Sequence, residues 1–164
     1  MTDDLHFLTI AEASSLIETK KLSPVEYIDA LLERIETLNP VLDAFLLITG
    51  DQARDEAKKA EADITAGHYK GPLHGIPFAL KDIYETEGIR TTAHSKILID
   101  NVPDKDATSV ANLKKAGAIL MGKLATHEFA HGGPSLDLPW PPARNPWKLD
   151  RFTGGSSSGS GCGV

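Results

Sequence analysis

Val25, Ile28, Leu31, Leu32, Ile35 and Leu38 recur every three or four residues, the period of a helix with one apolar face. The helix they predict opens on Ser23-Pro24-Val25-Glu26, with Ser at the N-cap, Pro at the first helical position and Glu three residues after the cap. Asn39-Pro40 is expected to close it, because proline lacks the amide a helix interior needs. A shorter amphipathic helix is predicted over 9–19. Ala44-Phe45-Leu46-Leu47-Ile48 is an apolar run of strand length, and Asp51 is placed to cap an alanine-rich, charged helix ending near Gly67. After the turn-rich stretch 71–77, Phe78-Ala79-Leu80-Lys81-Asp82-Ile83 is apolar around one charged pair. A helix is predicted from Asp106, as its cap, to Ala116, stopped by Gly117, and Ala118-Ile119-Leu120-Met121 follows as a buried strand. Helices alternating with strands, without an internal repeat, indicate an α/β layered fold.

The stretch 132–144 is irregular and proline-rich, and 154–163 consists of glycine, serine and Cys162. Such a composition usually marks a linker. Trp147 and Phe152 lead straight into it, so the expectation is a loop whose following element has been cut away.

The 164 residues are 41% hydrophobic and 24% charged, which excludes disordered and fibrous classes. The net charge of −6 argues against a general nucleic-acid or anionic-membrane surface, since both need a basic face. Cys162, the single cysteine, excludes an intramolecular disulfide and fits a reducing compartment. The apolar runs are too short to cross a bilayer, and Met1, Thr2, Asp3 and Asp4 are acidic where a secretory signal would be basic. A cytoplasmic address is expected.

Four stretches carry candidate chemistry. His127-Glu128-Phe129-Ala130-His131 matches H-E-x-x-H, which on a helix would hold zinc with glutamate as base. A third ligand is lacking: Pro134 and Asp137 stand where the extended pattern wants Gly and His, and no glutamate follows Glu128. A zinc hydrolase using His127, Glu128 and His131 is therefore a remote alternative. Gly117 to Lys123 has the spacing of a phosphate loop, but Leu124 stands where Ser or Thr must bind magnesium, so the match is accidental. Lys81 sits among Phe78, Ala79, Leu80 and Ile83, and desolvation there disfavours its charged form, which makes a lysine into a base. Asp82 would oppose that effect, so its side chain is expected to point away and hold a loop. The Ser/Gly segment presents hydroxyls on a glycine-permitted backbone, and with Lys81 it suggests a serine–lysine arrangement for activating a nucleophile.

Together these residues resemble the amidase signature family. The resemblance runs through Gly71-Pro72-Leu73-His74-Gly75-Ile76-Pro77, Lys81-Asp82, Gly122-Lys123-Leu124-Ala125-Thr126 with Glu128-Phe129-Ala130, Arg144-Asn145-Pro146-Trp147, and 154–160. It implies hydrolysis or transfer of a carboxamide by a Ser–cis-Ser–Lys triad. By position, Lys81 is the family's catalytic lysine and Ser156 the bridging serine that follows a cis peptide bond. The resemblance places Ala130 at a backbone position lining the substrate pocket and makes Asp82, Gly154, Gly155 and Ser157 supports of the loop. The acylated serine and the oxyanion-hole amides belong to a later Gly-Gly-Ser segment, past Val164. Position 158 is Ser where many members have Gly.

The fold implied is a mixed central β-sheet covered by helices on both faces. Residues 1–164 are expected to be the N-terminal part of a single amidase domain, with N-terminal helices over 9–66, the lysine segment at 71–83 and the signature loop at 154–163. A chain ending at Val164 is expected to be inactive. The implied substrate is a small-molecule amide, with no cofactor, metal, membrane or direct nucleic-acid contact. A homodimer is one possible assembly. The alternative is the amidase-like subunit of a tRNA-dependent amidotransferase, which would have partner subunits.

Overall fold

The computed structural model describes residues 5–164. Residues 1–4, on which the reading of a missing secretory signal rests, lie outside the described residues. The described elements are α1 (Ile10–Glu18), α2 (Pro24–Leu42), β1 (Phe45–Ile48), α3 (Gly50–Thr65), β2 (Pro77–Lys81), α4 (Thr108–Lys115), β3 (Ile119–Leu124), β4 (Arg144–Asn145), β5 (Lys148–Phe152) and α5 (Ser158–Gly163). The α/β class expected from the sequence is the class observed. The first three strands form a sheet in the order β1-β3-β2, with β1 antiparallel to β3, and β4 pairs with β5 as a separate ribbon. No described helix is long and apolar enough to cross a membrane.

The chain divides into two compact units. The first holds residues up to Thr37, then 49–78 and 111–121. Its core gathers Ala13 and Ile17 of α1, Leu22, Tyr27 of α2, Ile64 of α3 and Ile76. Helix α1 begins where Thr9 accepts from the Glu12 amide while Glu12 reaches back to the Thr9 amide, a reciprocal cap. Helix α3 buries Ala53, Ala57, Ala60 and Ile64, a stripe of mostly small side chains at helical spacing. Its N-cap is Thr49, so Asp51 lies in the first turn instead of capping it.

The second unit comprises residues 38–48, 79–110 and 122–164, with Ala44, Ala125, Ala143 and Cys162 in its core. Pro40 does not end α2, which runs on to Leu42. In the last turn proline forfeits a single helical hydrogen bond, and the helix closes instead at Asp43, whose backbone is left-handed at φ 53°. Asn39 then latches the chain into β1, accepting from the Phe45 amide at 2.7 Å and donating to the Phe45 carbonyl at 3.1 Å. Helix α4 starts at Thr108, one residue later than a cap at Asp106 predicts, and Asp106 Oδ1 accepts from the Glu87 amide at 2.8 Å. The Ser/Gly stretch is a loop only to Ser157, and the short helix α5 follows.

Candidate active site

Lys81 is the last residue of β2. The chain turns immediately after it, the amides of Ile83 and Tyr84 both donating to the Lys81 carbonyl at 2.7 and 3.1 Å. The Asp82 amide donates to Leu124 O at 3.0 Å, which fixes the strand end against β3. Lys81 Nζ lies 2.6 Å from Ser156 Oγ, a contact that spans 75 positions of sequence. Both residues are half-buried. Burial pushes the Lys81 amine below the ordinary lysine value, the direction a proton acceptor requires.

The serine is held by its backbone, which leaves its hydroxyl to the lysine. The Gly155–Ser156 peptide is cis. The Ser156 carbonyl accepts from Thr126 Oγ1 at 2.8 Å and from the His127 amide at 2.9 Å, both just past the end of β3. Behind it the His127 ring packs directly on Gly155: a Cβ on that glycine would stand 2.1 Å from His127 Cε1. Thr153 Oγ1 donates to Ser158 O at 2.8 Å, and the Gly159 amide donates to Ala125 O at 2.9 Å. Gly159 must lack a side chain, because its Cβ would meet Ala44 O at 2.4 Å and Ala125 N at 2.6 Å. Gly154 adopts φ 84°, a conformation glycine accepts without strain, and exposed Ser157 precedes α5 as its N-cap residue.

Asp82 makes its contacts with a loop. Fully buried, it accepts through Oδ2 from the Thr92 amide at 2.9 Å and from Thr92 Oγ1 at 2.6 Å. Its Oδ1 lies 3.0 Å from Lys123 Nζ. Lys123, next to the last residue of β3, is buried and also donates to Tyr84 O at 3.0 Å and Thr91 Oγ1 at 2.6 Å. Sequence reasoning met Lys123 in the accidental phosphate-loop spacing and in the family motif, and gave it no role. The available signal was a lysine within an unbroken apolar run, which cannot be buried without a carboxylate nearby.

The zinc candidate does not assemble. Residues Glu128–Ala130 form one 3-10 turn, not a helix that would align two imidazoles, and Phe129 and Ala130 take positive φ of 49° and 59°. His127 Nδ1 donates to Gly132 O at 2.8 Å, Glu128 accepts from Ser95 Oγ at 2.6 Å, and His131 is exposed. Among the described residues no group of three His, Cys, Asp or Glu side chains could hold a metal ion. Ala130 is half-buried, its amide donating to His127 O at 2.8 Å.

Residues 26–164 match the family model Amidase. The chain belongs to the amidase family. A glutamyl-tRNA(Gln) amidotransferase subunit of Geobacter metallireducens is 47% identical to this amidase chain over 161 residues, 98% of the chain and 33% of the relative. The native peptide amidase of Stenotrophomonas maltophilia is 32% identical with a TM-score of 0.86, over 94% of this chain and 33% of its own. A bacterial aryl acylamidase of the amidase signature family has a TM-score of 0.89 at 28% identity, over 98% of this chain and 34% of its own. The amidase chain thus spans about a third of the length of the relatives it matches.

Proposed function

We propose that the full-length protein cleaves a carboxamide through a Ser–cis-Ser–Lys relay, of which this chain supplies Lys81 and Ser156 and a segment past Val164 supplies the acylated serine. The observation that carries this reading is the 2.6 Å contact between Lys81 Nζ and Ser156 Oγ. With Lys81 neutral, the Ser156 hydroxyl donates its proton to Nζ as it takes one from the nucleophilic serine. That serine's oxygen then bonds to the amide carbon, and the carbonyl electron pair moves onto oxygen. When the pair returns, the C–N bond breaks, and the leaving nitrogen takes the proton back along the same route from the Lys81 ammonium through Ser156. Acid–base help of this kind is worth about 10²- to 10⁴-fold in rate. Ala130, with its left-handed backbone, is assigned to the wall of the amide pocket. Asp82, Gly154, Gly155 and Ser157 are assigned to holding the lysine and the loop.

Lys81→Ala and Ser156→Ala in the full-length protein should each reduce amide turnover by orders of magnitude with the fold intact by circular dichroism. Near-normal turnover by Lys81→Ala would sink the reading. A polypeptide ending at Val164 should be inactive, having no residue to acylate.

The 47% identity to a subunit of an amidotransferase, against 28–32% for the two structures of amide hydrolases described above, favours a second reading in which the released nitrogen is passed onward within an assembly. Both readings share the relay and differ in partners. Turnover of a small amide by the full-length protein purified alone supports the hydrolase. Turnover that appears only with co-expressed partner subunits supports the amidotransferase. Cytoplasmic placement is part of both readings.

A further inference from the structure

The loop 92–95 is bonded to both ends of the proposed relay. On the lysine side, the Ala93 amide donates to Asp82 O at 2.8 Å, and the Thr92 amide and Oγ1 donate to Asp82 Oδ2. On the serine side, the Phe129 amide donates to Ala93 O at 3.0 Å, and Ser95 Oγ donates to Glu128 Oε1. Ala93 and His94, in the middle of the loop, both have left-handed backbone, φ 51° and 56°. Successive residues that carry a Cβ hold that conformation only where the surroundings over-determine it. Here it accompanies a buried imidazole. His94 is 1% exposed, and both ring nitrogens are engaged, Nε2 at 3.0 Å from Trp140 O and Nδ1 at 3.4 Å from the Thr126 amide. A carbonyl only accepts and an amide N–H only donates, so these partners match the tautomer with its proton on Nε2 and a lone pair on Nδ1.

We propose that His94 is a positioning residue for the relay: its Nδ1 anchors Thr126, and Thr126 holds the loop that brings Ser156 to Lys81. Each link is a hydrogen bond. The Thr126 amide donates to His94 Nδ1, Thr126 Oγ1 donates to Ser156 O at 2.8 Å, and Ser156 Oγ lies 2.6 Å from Lys81 Nζ. The next amide along, that of His127, donates to the same Ser156 carbonyl at 2.9 Å. A shift of the backbone at 126 therefore carries both of that carbonyl's donors with it. Trp140 gives the imidazole its other hold. The two rings meet edge-on with centroids 5.7 Å apart, and the Arg90 guanidinium lies 5.4 Å from the Trp140 ring. The Trp140 contact orients the imidazole, and the Thr126 contact acts on the site. The inference rests on the relay of Lys81 and Ser156. His94 touches neither reacting group, so its effect falls on the rate of serine attack and not on ligand affinity.

Asparagine and glutamine separate the two holds. In His94→Asn the amide oxygen stands where Nδ1 was and keeps the acceptor for Thr126. In His94→Gln the amide nitrogen stands where Nε2 was and keeps the donor to Trp140. The full-length protein and both variants are treated with a fluorophosphonate, and labelling of the serine past Val164 is followed by mass spectrometry. The serine oxygen bonds to phosphorus, fluoride leaves, and the serine proton passes through Ser156 to Lys81. The dependence on probe concentration separates the maximal rate from probe affinity. His94→Gln should lower the maximal rate by about 10²-fold at unchanged affinity, the cost of roughly 1 Å of misplacement, while His94→Asn stays within a few-fold of the parent. A merely structural residue would reverse that order, because glutamine is the closer match to histidine in size. Parental labelling of His94→Gln, or equal losses in the two variants, would overturn the proposal. If circular dichroism shows a variant unfolded, the unaltered ring decides. Long-range proton–nitrogen NMR correlations in the full-length protein should show His94 protonated on Nε2 alone. A proton on Nδ1 would set two donors against each other and refute the anchor. Lys81→Ala labelled as fast as the parent, or a parent not labelled at all, would sink the relay itself. Slow labelling of Lys81→Ala beside indistinguishable His94 variants would sink only the role of His94.

Discussion

Gly155→Ala is the smallest perturbation that reaches the relay without touching either of its members. The added methyl carbon would stand 2.1 Å from His127 Cε1, 2.3 Å from Nε2 and 2.7 Å from Nδ1, where ordinary contacts begin near 3.4 Å. The imidazole is buried and tied through Nδ1 to Gly132 O, and its residue's own amide holds the Ser156 carbonyl. Ring or loop must therefore yield by roughly 1 Å, and overpacking of this kind costs about 1–3 kcal/mol. Displacing the loop also displaces Ser156 Oγ from Lys81 Nζ, and a misplacement of about 1 Å is worth on the order of 10²-fold in rate. The expected outcome in the full-length protein is a lowered melting temperature with kcat reduced about 100-fold. Removing the obstacle provides the control. His127→Ala vacates the space the methyl needs, so Gly155→Ala combined with His127→Ala should recover part of the turnover lost by Gly155→Ala alone. Wild-type melting and turnover in Gly155→Ala, or a double variant whose losses simply add, would refute the argument that the ring sets the position of the serine.

Other expected outcomes use different readouts. Gly159→Ala places a methyl against the backbone atoms Ala44 O and Ala125 N, which cannot swing aside as a side chain can. A loss of about 3 kcal/mol or more in denaturant unfolding is expected, and a loss below about 1 kcal/mol would contradict it. The relay requires neutral Lys81, so kcat/KM should rise with pH through an acid limb. Burial depresses this amine, so the limb should lie below the ordinary lysine value of about 10.4 and should vanish along with the activity in Lys81→Ala. Between the depressed folded value and the ordinary unfolded one the unfolded chain binds more protons, so the cost that burying this amine imposes on folding is relieved as pH rises. Chelation with EDTA and His131→Ala should leave turnover unchanged, and loss with either would reopen metal chemistry at 127–131.

Local rules read the scaffold well where one residue decides the structure alone. The Ser23 cap, whose hydroxyl accepts from the Val25 and Glu26 amides, and the glycine stop at 117, where φ is 86°, needed no tertiary information. The failures come where tertiary contact outweighs local preference. Pro40 sits far enough toward the end of α2 that its missing amide costs one bond, and the helix ends instead at left-handed Asp43, with Asn39 latching the chain on into β1. The glycine-rich stretch 158–163 is a poor helix former by propensity. It is nevertheless a helix, tied by Gly159 to the end of β3, and only a glycine fits that close approach. At the candidate site, the apolar flanks of Lys81 pointed to a depressed amine and the family motif singled out Ser156, but no local pattern could foretell a contact across 75 positions. The support by His127 was hidden for a related reason. Its place in an H-E-x-x-H string suggests a ligand, but its work is done by ring bulk against Gly155 and by its main-chain amide.

Lys81 and Lys123 show why residue type underdetermines role. Both stand in apolar runs on neighbouring strands, and burial depresses both amines. For Lys123, Asp82 acts in the opposite sense by Coulomb attraction and hydrogen bonding, and a carbonyl and a hydroxyl occupy its remaining donors. Loss of the Lys123 proton would leave a buried carboxylate without its counter-charge. Lys81 has desolvation alone acting on it and a hydroxyl within reach. A hydroxyl can donate to a neutral amine or accept from a charged one, so either protonation state of Lys81 keeps a partner. That tolerance suits the proton acceptor proposed for Lys81. Exchanging the two environments should therefore exchange the roles: a carboxylate introduced beside Lys81 by Ser156→Asp should fix it as an ammonium and abolish turnover, as is expected of Ser156→Ala, while raising the pH midpoint for acetylation of Lys81 by acetic anhydride, which Ser156→Ala would not. A midpoint unmoved in Ser156→Asp would mean that the partner at 156 does not control the protonation of Lys81.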